Sequence, residues 1–342
     1  MVKNKAKIMF NDEVYIYNFK KHGGIFNTVR LILEKLNWRK IITADRPVYI
    51  KLNLSSANSR VLHYANTDKE VLQSLLKIIT PVTRNIFLVE SDLARGDKQS
   101  GLYGGGSADD MFVLNGINKM ARKFGVKTMN LSKQEQVYKL NPLFEDFGFP
   151  KCLLEENKTF ITMPLIKTHA LTAFTGALKN QWGCVPRWDR VLLHKNLDKL
   201  LVLCNKLIKP DLVLMGGKYA MDGRGPTNGN PRDFPVILGS RKPASIDAAA
   251  MSLIGIDLSE AVHVKLGDSE VLGASDIEKI KIIGEFKENK IQFEKAKLDW
   301  VLRSVDFLNR YKIFVYKIMM NQSLFNAGKK VVNFLRKIRI VR

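Results

Sequence analysis

The chain has 342 residues, 46% of them hydrophobic, which is enough to bury a large core and excludes global disorder. Its 55 Lys+Arg against 33 Asp+Glu give a formal charge of +22, so anionic partners are favoured: small carboxylates or phosphates, an acidic membrane face, or nucleic acid. The three scattered cysteines, Cys152, Cys184 and Cys204, exclude a disulfide framework and cannot supply the four ligands of an iron–sulfur cluster; no cluster and a reducing cytoplasm are expected.

The N-terminal segment is basic, but Asn11, Asp12 and Glu13 interrupt its apolar runs and leave no secretory core. No apolar run reaches the roughly 18 residues of a membrane span, so any membrane contact is expected at the surface. Residues 1–46 read as an extension packed on the core, 47–285 as one α/β domain and 286–342 as a basic helical segment.

Short apolar runs at 48–54, 86–90, 126–131, 160–163, 212–215, 236–238 and 280–283 predict buried strands. Helical periodicity predicts helices over 68–79, 108–124, 196–208 and 245–254. Thr67 with Glu70 has the spacing of a capping box for the first helix, and Asp247 falls in the expected first turn of the fourth, at the positive end of its dipole. The alternation predicts an α/β fold, with a mixed or mostly parallel sheet, helices on both faces and a basic C-terminal helical extension. Function is expected at the carboxyl ends of the strands. Two glycine-dense loops, 101–110 and 222–233, could let backbone approach a ligand, yet neither matches a Walker or Rossmann fingerprint.

Two stretches carry polar groups suited to chemistry. After the first strand, Lys51 and Asn53 share one side at period two and could orient a carboxylate or phosphate; a solvated edge strand explains them as well. In 159–194 a buried strand runs into Lys167, His169, Lys179, Asn180, Arg187 and His194, a set suited to an anion, a metal, or both. His169 could equally be tied to backbone at a strand end and His194 could cap a helix, while Trp182 and Trp188 read more readily as packing residues. On one continuous helix, His169 and Lys179 would stand about 15 Å apart along the axis, so they can share a site only across a turn.

Residues 307–342 contain nine Lys/Arg and no acid, with Leu324, Ala327, Val331, Leu335 and Ile338 at helical spacing. This segment suits either packing on the domain or docking on an anionic membrane. No zinc-finger spacing or RNP-type motif supports nucleic acid.

Lys51-x-Asn53, K-T-H at 167–169, T-G-A-L-K-N at 175–180, His194, M-D-G-R-G-P at 221–226 and Asp247 together resemble the domain-of-unknown-function family 362, over roughly residues 47–285. The resemblance implies an α/β fold and a prokaryotic cytoplasmic setting, with no assigned activity. Where that family usually has an Asp, this chain has Gly216, and where it often has one, Lys242; these losses argue against a divalent-metal site there. More distantly, His169 through Lys179 followed by His194 is similar to the cofactor segment of nickel-dependent lactate racemases. That resemblance implies that His169 moves a proton and Lys179 anchors a nickel-pincer nucleotide, with Thr175, Gly176 and Asn180 beside it. It further implies that His194 binds nickel, that Lys51, Asn53, Lys167 or Arg187 holds a 2-hydroxy acid, and that His63 is a candidate second base. The leading expectation is an enzyme of racemase or epimerase type acting on a small anion. The alternatives are a non-catalytic binding or assembly protein using its basic surface, and, less favoured, a redox partner.

Overall fold

The computed structural model describes residues 12–56, 61–92, 106–138, 140–141, 148–187, 190–226, 229–270, 272–296 and 327. In chain order these form β1 (Asp12–Asn18), α1 (Ile25–Lys35), β2 (Val48–Lys51), α2 (Leu62–Ala65), α3 (Lys69–Ile79), β3 (Ile86–Glu90), α4 (Ala108–Leu114), α5 (Ile117–Phe124) and β4 (Lys127–Asn130). There follow β5 (Gln136–Val137), β6 (Phe149–Pro150), β7 (Thr159–Thr162), β8 (Lys167–His169), β9 (Ala173–Thr175) and α6 (Ala177–Asn180). The remainder comprises α7 (Leu197–Ile208), β10 (Leu212–Asp222), β11 (Asn230–Ser240), α8 (Pro243–Leu253), α9 (Val262–Ser269) and β12 (Ile280–Gly284).

The main sheet runs β12-β1-β11-β10-β7-β2-β3-β4, with β8 and β9 attached beside β10. From β10 to β4 neighbouring strands are parallel, whereas β11 is antiparallel to both β1 and β10. Side chains divide at period two: Ile50, Leu88 and Ile161 pack with α1, α3, α4 and α5, while Tyr49, Val89 and Phe160 pack with α7. A third core joins β1, β10 and β11 to α6, α8 and α9. The sheet is thus mostly parallel and covered by helices on both faces, as the alternating pattern predicts. Chain order reverses beside β2, with β3 on one side and β7 on the other; the crevice at their carboxyl ends is a topological switch point.

Several local expectations are corrected. The helix expected over 108–124 is two, because Gly116 adopts φ +69° between them. Asp68, not Thr67, caps α3, accepting from the amides of Glu70 and Val71; Thr67 Oγ1 instead receives the Asn53 amide and donates to the Met163 carbonyl. Pro243 starts α8 two residues earlier than expected, which carries Asp247 beyond the first turn. No strand was expected at Asp12–Asn18, yet it pairs with both β11 and β12 inside the sheet. The glycine-dense stretch 222–233 largely belongs to the β10–β11 hairpin. There a Cβ on Gly225 would lie 1.9 Å from the Thr168 carbonyl oxygen, so that glycine serves backbone packing on β8. Residues 101–105 of the other glycine-dense loop, and all but Ala327 of the basic segment 307–342, lie outside the described residues. Among the described residues no helix is long and apolar enough to cross a membrane.

Candidate anion site at the switch point

β8 and β9 form a short antiparallel hairpin that sets Lys167 opposite Thr175 and His169 opposite Ala173. Gly176 then turns the chain into α6. This is the reversal that His169 and Lys179 need in order to share a site. The turn is held by His169 itself, whose Nδ1 accepts from the amides of Leu171 (3.1 Å) and Thr172 (3.3 Å). With Nδ1 occupied as an acceptor, the neutral ring carries its proton on Nε2. Burial, with Lys179 second, holds the His169 pKa well below its ordinary value, so at neutral pH Nε2–H is a hydrogen-bond donor. The expectation of a proton-moving His169 is thereby narrowed: Nδ1 is spent on the turn, and a neutral Nε2–H has no lone pair with which to act as a base.

The start of α6 is held from across the core. Asp247 on α8 accepts the amides of Ala177 (2.6 Å) and Leu178 (2.9 Å), so its carboxylate caps α6 and not its own helix. A Cβ on Gly176 would lie 2.2 Å from Asp247 Oδ1, which leaves room only for glycine. Burial raises the Asp247 pKa to about 7 against the lowering by those two amides. The far end of α6 belongs to a buried polar chain. Asn53 Nδ2 donates to Asn180 Oδ1, Asn180 Nδ2 to Thr162 Oγ1, Thr162 to Gln181 Oε1, and Gln181 Nε2 to Asn205 Oδ1. Gly176 and Asn180 therefore position Lys179; their expected contact with a cofactor is replaced by contacts that build the helix.

The cations divide into two classes. Lys51 is 1% exposed and matched: its ammonium lies 2.7 Å from Glu90 Oε1 and donates to the Leu52 carbonyl. A Cβ on Gly183 would strike this pair, 2.6 Å from Lys51 Nζ. The expectation that Lys51 holds a substrate carboxylate is corrected on that ground, since its charge is already compensated. Arg190 is likewise engaged, donating to Ser91 Oγ and to the carbonyls of Asp92 and Val185.

Lys167 and Lys179 are different. Lys167 is 0% exposed and donates only to Ser55 Oγ (2.7 Å) and the Ala65 carbonyl (2.8 Å), with no carboxylate at ion-pair distance among the described residues. Burial, then Lys179, lowers its pKa to about 7. Half-buried Lys179 has no hydrogen-bond or ion-pair partner among the described residues, and burial, then Arg190, lowers its pKa to about 8. His194, also half-buried, is pushed down to about 3 by burial and then by Lys179 and Arg190. Lys167, Lys179, His194 and His263 all act electrostatically on His169, so these groups share one field. Among the described residues, the buried Thr175 Oγ1, opposite Lys167, and Asn53 Oδ1, beside Asn180, lack hydrogen-bond partners.

Arg187 is half-buried near Arg190, and His63 packs edge-on against Tyr64 and Tyr219. Trp188 lies outside the described residues, and Trp182 is buried in the core beneath α7, as its packing reading expects. No three His, Cys, Asp or Glu side chains among the described residues are grouped to hold a metal ion. Glu90, Asp198 and His263 were not anticipated. Each lies on a different element from the 159–194 stretch, and no spacing in the sequence ties them to it.

The family model described as "Domain of unknown function (DUF362)" matches residues 48–252. A thylakoid-associated protein from Synechocystis is 27% identical over 154 residues, covering 43% of this chain and 47% of that protein; the match thus spans about half of the curated relative. Among solved structures, the lactate racemase apoprotein from Thermoanaerobacterium thermosaccharolyticum is similar with a TM-score of 0.36 and 12% identity, over 62% of this chain and 51% of that one. A Thermotoga maritima protein is similar with a TM-score of 0.33 and 12% identity, over 72% and 60%.

The Lys51–Glu90 pair yields a stability prediction. Glu90→Ala strands a buried ammonium and the Leu54 and Ser91 amides that the carboxylate accepts, and is expected to cost about 3–5 kcal/mol, whereas Lys51→Met with Glu90→Gln, which keeps an oxygen for those amides, should recover part of that loss. Urea unfolding of the two variants beside the parent provides the measurement.

Proposed function

We propose that this chain, which belongs to the DUF362 family, binds a small anionic molecule between the end of β8 and α6. Lys167 and Lys179 supply the charge and His169 Nε2–H supplies a hydrogen bond. One observation carries this reading: two lysines in the same buried field have no carboxylate partner among the described residues, while Lys51 beside them has one. Burying unmatched positive charge is costly, and an incoming carboxylate or phosphate relieves that cost. Thr175 Oγ1, on the strand facing Lys167 and without a partner among the described residues, is a further group for such a ligand.

The site is also suited to racemase- or epimerase-like chemistry on a 2-hydroxy acid. A lysine amine with a pKa near 8 is nucleophilic when unprotonated, and a neutral imidazole is a metal ligand, so Lys179 and His194 fit the two protein attachments of a nickel-pincer nucleotide. The other metal donors would come from that group, because the described residues offer no three-ligand cluster. When bound, it would supply a hydride acceptor for a substrate C–H; the chain's own part would be to hold the acid with Lys167, to donate from His169 Nε2–H, and to take the hydroxyl proton released with the hydride on His63, the candidate second base on the helix whose Ala65 carbonyl receives Lys167.

Residues 307–342 support a second, compatible reading, attachment to an anionic membrane surface. They carry nine cations and no acid, and the curated relative is named as thylakoid-associated.

Four outcomes are expected. Binding of acetate, followed by titration calorimetry, should weaken from pH 6 to pH 9. Each lysine must be protonated to hold the anion, so affinity falls by up to about tenfold per pH unit above its pKa, with proton uptake on binding. Lys179→Met should weaken binding and flatten the upper part of that profile; a pH-independent affinity would refute the site. Protein purified from its native host should carry stoichiometric nickel and a mass adduct on Lys179 if the racemase-type reading holds, and an unmodified, metal-free chain argues for binding alone. Deletion of residues 307–342 should abolish sedimentation with phosphatidylserine vesicles, and unchanged sedimentation removes the membrane reading.

A further inference from the structure

Lys167 Nζ lies 2.7 Å from Ser55 Oγ and 2.8 Å from the Ala65 carbonyl oxygen, and Ser55 Oγ lies 2.8 Å from that same carbonyl. The three groups close a triangle of amine, hydroxyl and carbonyl. A hydroxyl within hydrogen-bond reach of an amine, which a third group orients, is the arrangement from which serine–lysine catalysis is built. The loop that carries Ser55 is fixed: Asn66 Oδ1 accepts the Ser55 and Ser56 amides at 2.8 and 3.1 Å, while Asn66 Nδ2 donates to the Ser56 carbonyl and to Asn115 Oδ1. Ser55 is half-buried whereas Lys167 is 0% exposed, so a substrate meets the hydroxyl before the amine.

The same triangle accommodates a neutral amine. As an ammonium, Lys167 donates to Ser55 and Ala65 with no carboxylate at ion-pair distance among the described residues. As an amine it keeps one hydrogen on the Ala65 carbonyl and turns its lone pair to Ser55, whose hydrogen leaves that carbonyl for Nζ. Burial, then Lys179, holds the Lys167 pKa at about 7, so both forms are populated at neutral pH. A further donor stands beside them. Thr175 is directly opposite Lys167 in the β8–β9 pairing, so the two side chains emerge on one face. Thr175 Oγ1 is in a residue only 5% exposed and has no hydrogen-bond partner among the described residues, which leaves its hydrogen for a bound oxygen.

We propose that Ser55 is a nucleophile for acyl transfer, with Lys167 as its general base, the Ala65 carbonyl orienting the amine and Thr175 Oγ1 donating to the oxyanion. The substrate class is a small carboxylic ester. Ser55 Oγ attacks the ester carbonyl carbon and gives its proton to Lys167 Nζ; the bond from that carbon to the alcohol oxygen then breaks, and the departing oxygen takes the proton. Water attacks the acyl-serine and passes a proton to Nζ; the bond from Oγ to the acyl carbon breaks, Ser55 recovers the proton, and the acid leaves and ionises. That product is an anion of the kind the adjoining site takes, and while bound it keeps Lys167 protonated and the base out of action. This inference goes beyond the anion-site reading and shares Lys167 with it.

The test incubates the full chain with p-nitrophenyl acetate and follows nitrophenolate release together with the mass of the peptide that holds Ser55. An acetyl group on Ser55 is expected, formed at a rate that rises through about pH 7 and levels above it, because only the unprotonated amine acts as base. Lys167→Met should slow that acetylation at least about 100-fold, and Ser55→Ala should remove the adduct. Thr175→Val, which keeps the shape and loses the donor, should slow it by about 100-fold. Methionine at 167 removes a buried charge that has no carboxylate partner among the described residues and should leave the thermal midpoint unchanged or raise it, so slower acetylation will not reflect unfolding. The proposal is overturned if no acetyl reaches Ser55, if the parent's rate at Ser55 is flat from pH 6 to pH 9, or if Lys167→Met acetylates as fast as the parent. Excess acetate should slow the reaction. Ser55 acetylation that acetate leaves untouched supports the dyad and removes the anion-site reading, whereas acetate binding without acetylation overturns the dyad and leaves that reading standing.

Discussion

The reach of Asp247 across the core to the first two amides of α6 is the contact on which the rest of the site depends. A four-residue helix has almost no stability of its own, and its free amides would be unsatisfied in an apolar interior. One carboxylate from α8 answers both, and Gly176 is the residue small enough to let it approach. Once α6 is held at that end, the amide chain from Asn53 to Asn205 holds it at the other. Lys179 is thus presented from a segment whose rotation and height are set by contacts on both sides. Burial at this position raises the Asp247 pKa, and the two amides it accepts oppose that rise.

Electrostatic matching separates scaffold from function. The protein neutralises Lys51 with Glu90 and surrounds Arg190 with oxygens, the ordinary treatment of buried cations. Lys167 receives a hydroxyl and a carbonyl but no opposite charge, and Lys179 receives neither among the described residues. The same field that depresses both lysines keeps His169 and His194 neutral. An anion entering here would be drawn by unmatched charge and met by donors already in place, because the β8–β9 turn has committed the His169 tautomer. A site poised in this way depends little on ligand-induced rearrangement.

Some of the site was legible in the residues. Lys167, His169 and Lys179 follow a buried strand in a compact run, and the turn between them is required if they are to meet. Other assignments failed for one physical reason: a side chain's partner is often distant in sequence. Lys51 looks like a free cation until Glu90 on the neighbouring strand is seen, and Asp247 looks like a dipole partner for its own helix until α6 is seen packed against it. Thr67 and Asp68 are adjacent and both can cap, so local pattern alone could not decide between them.

The sequence by itself determined the alternation of buried strands and amphipathic helices, hence a mostly parallel sheet covered on both faces, because hydrophobic periodicity is a local property that survives without knowledge of contacts. It also determined the excess of positive charge and the absence of a cysteine framework. The tertiary structure decided which cations are spent and which are free, which nitrogen of His169 bears its proton, and which helix Asp247 serves. Apart from the His169 tautomer, which the β8–β9 turn fixes locally, those outcomes depend on distances between segments far apart in the sequence, such as Lys51 with Glu90 and Asn53 with Asn180. Burial magnifies such distances into charge and protonation states, and composition carries no information about them.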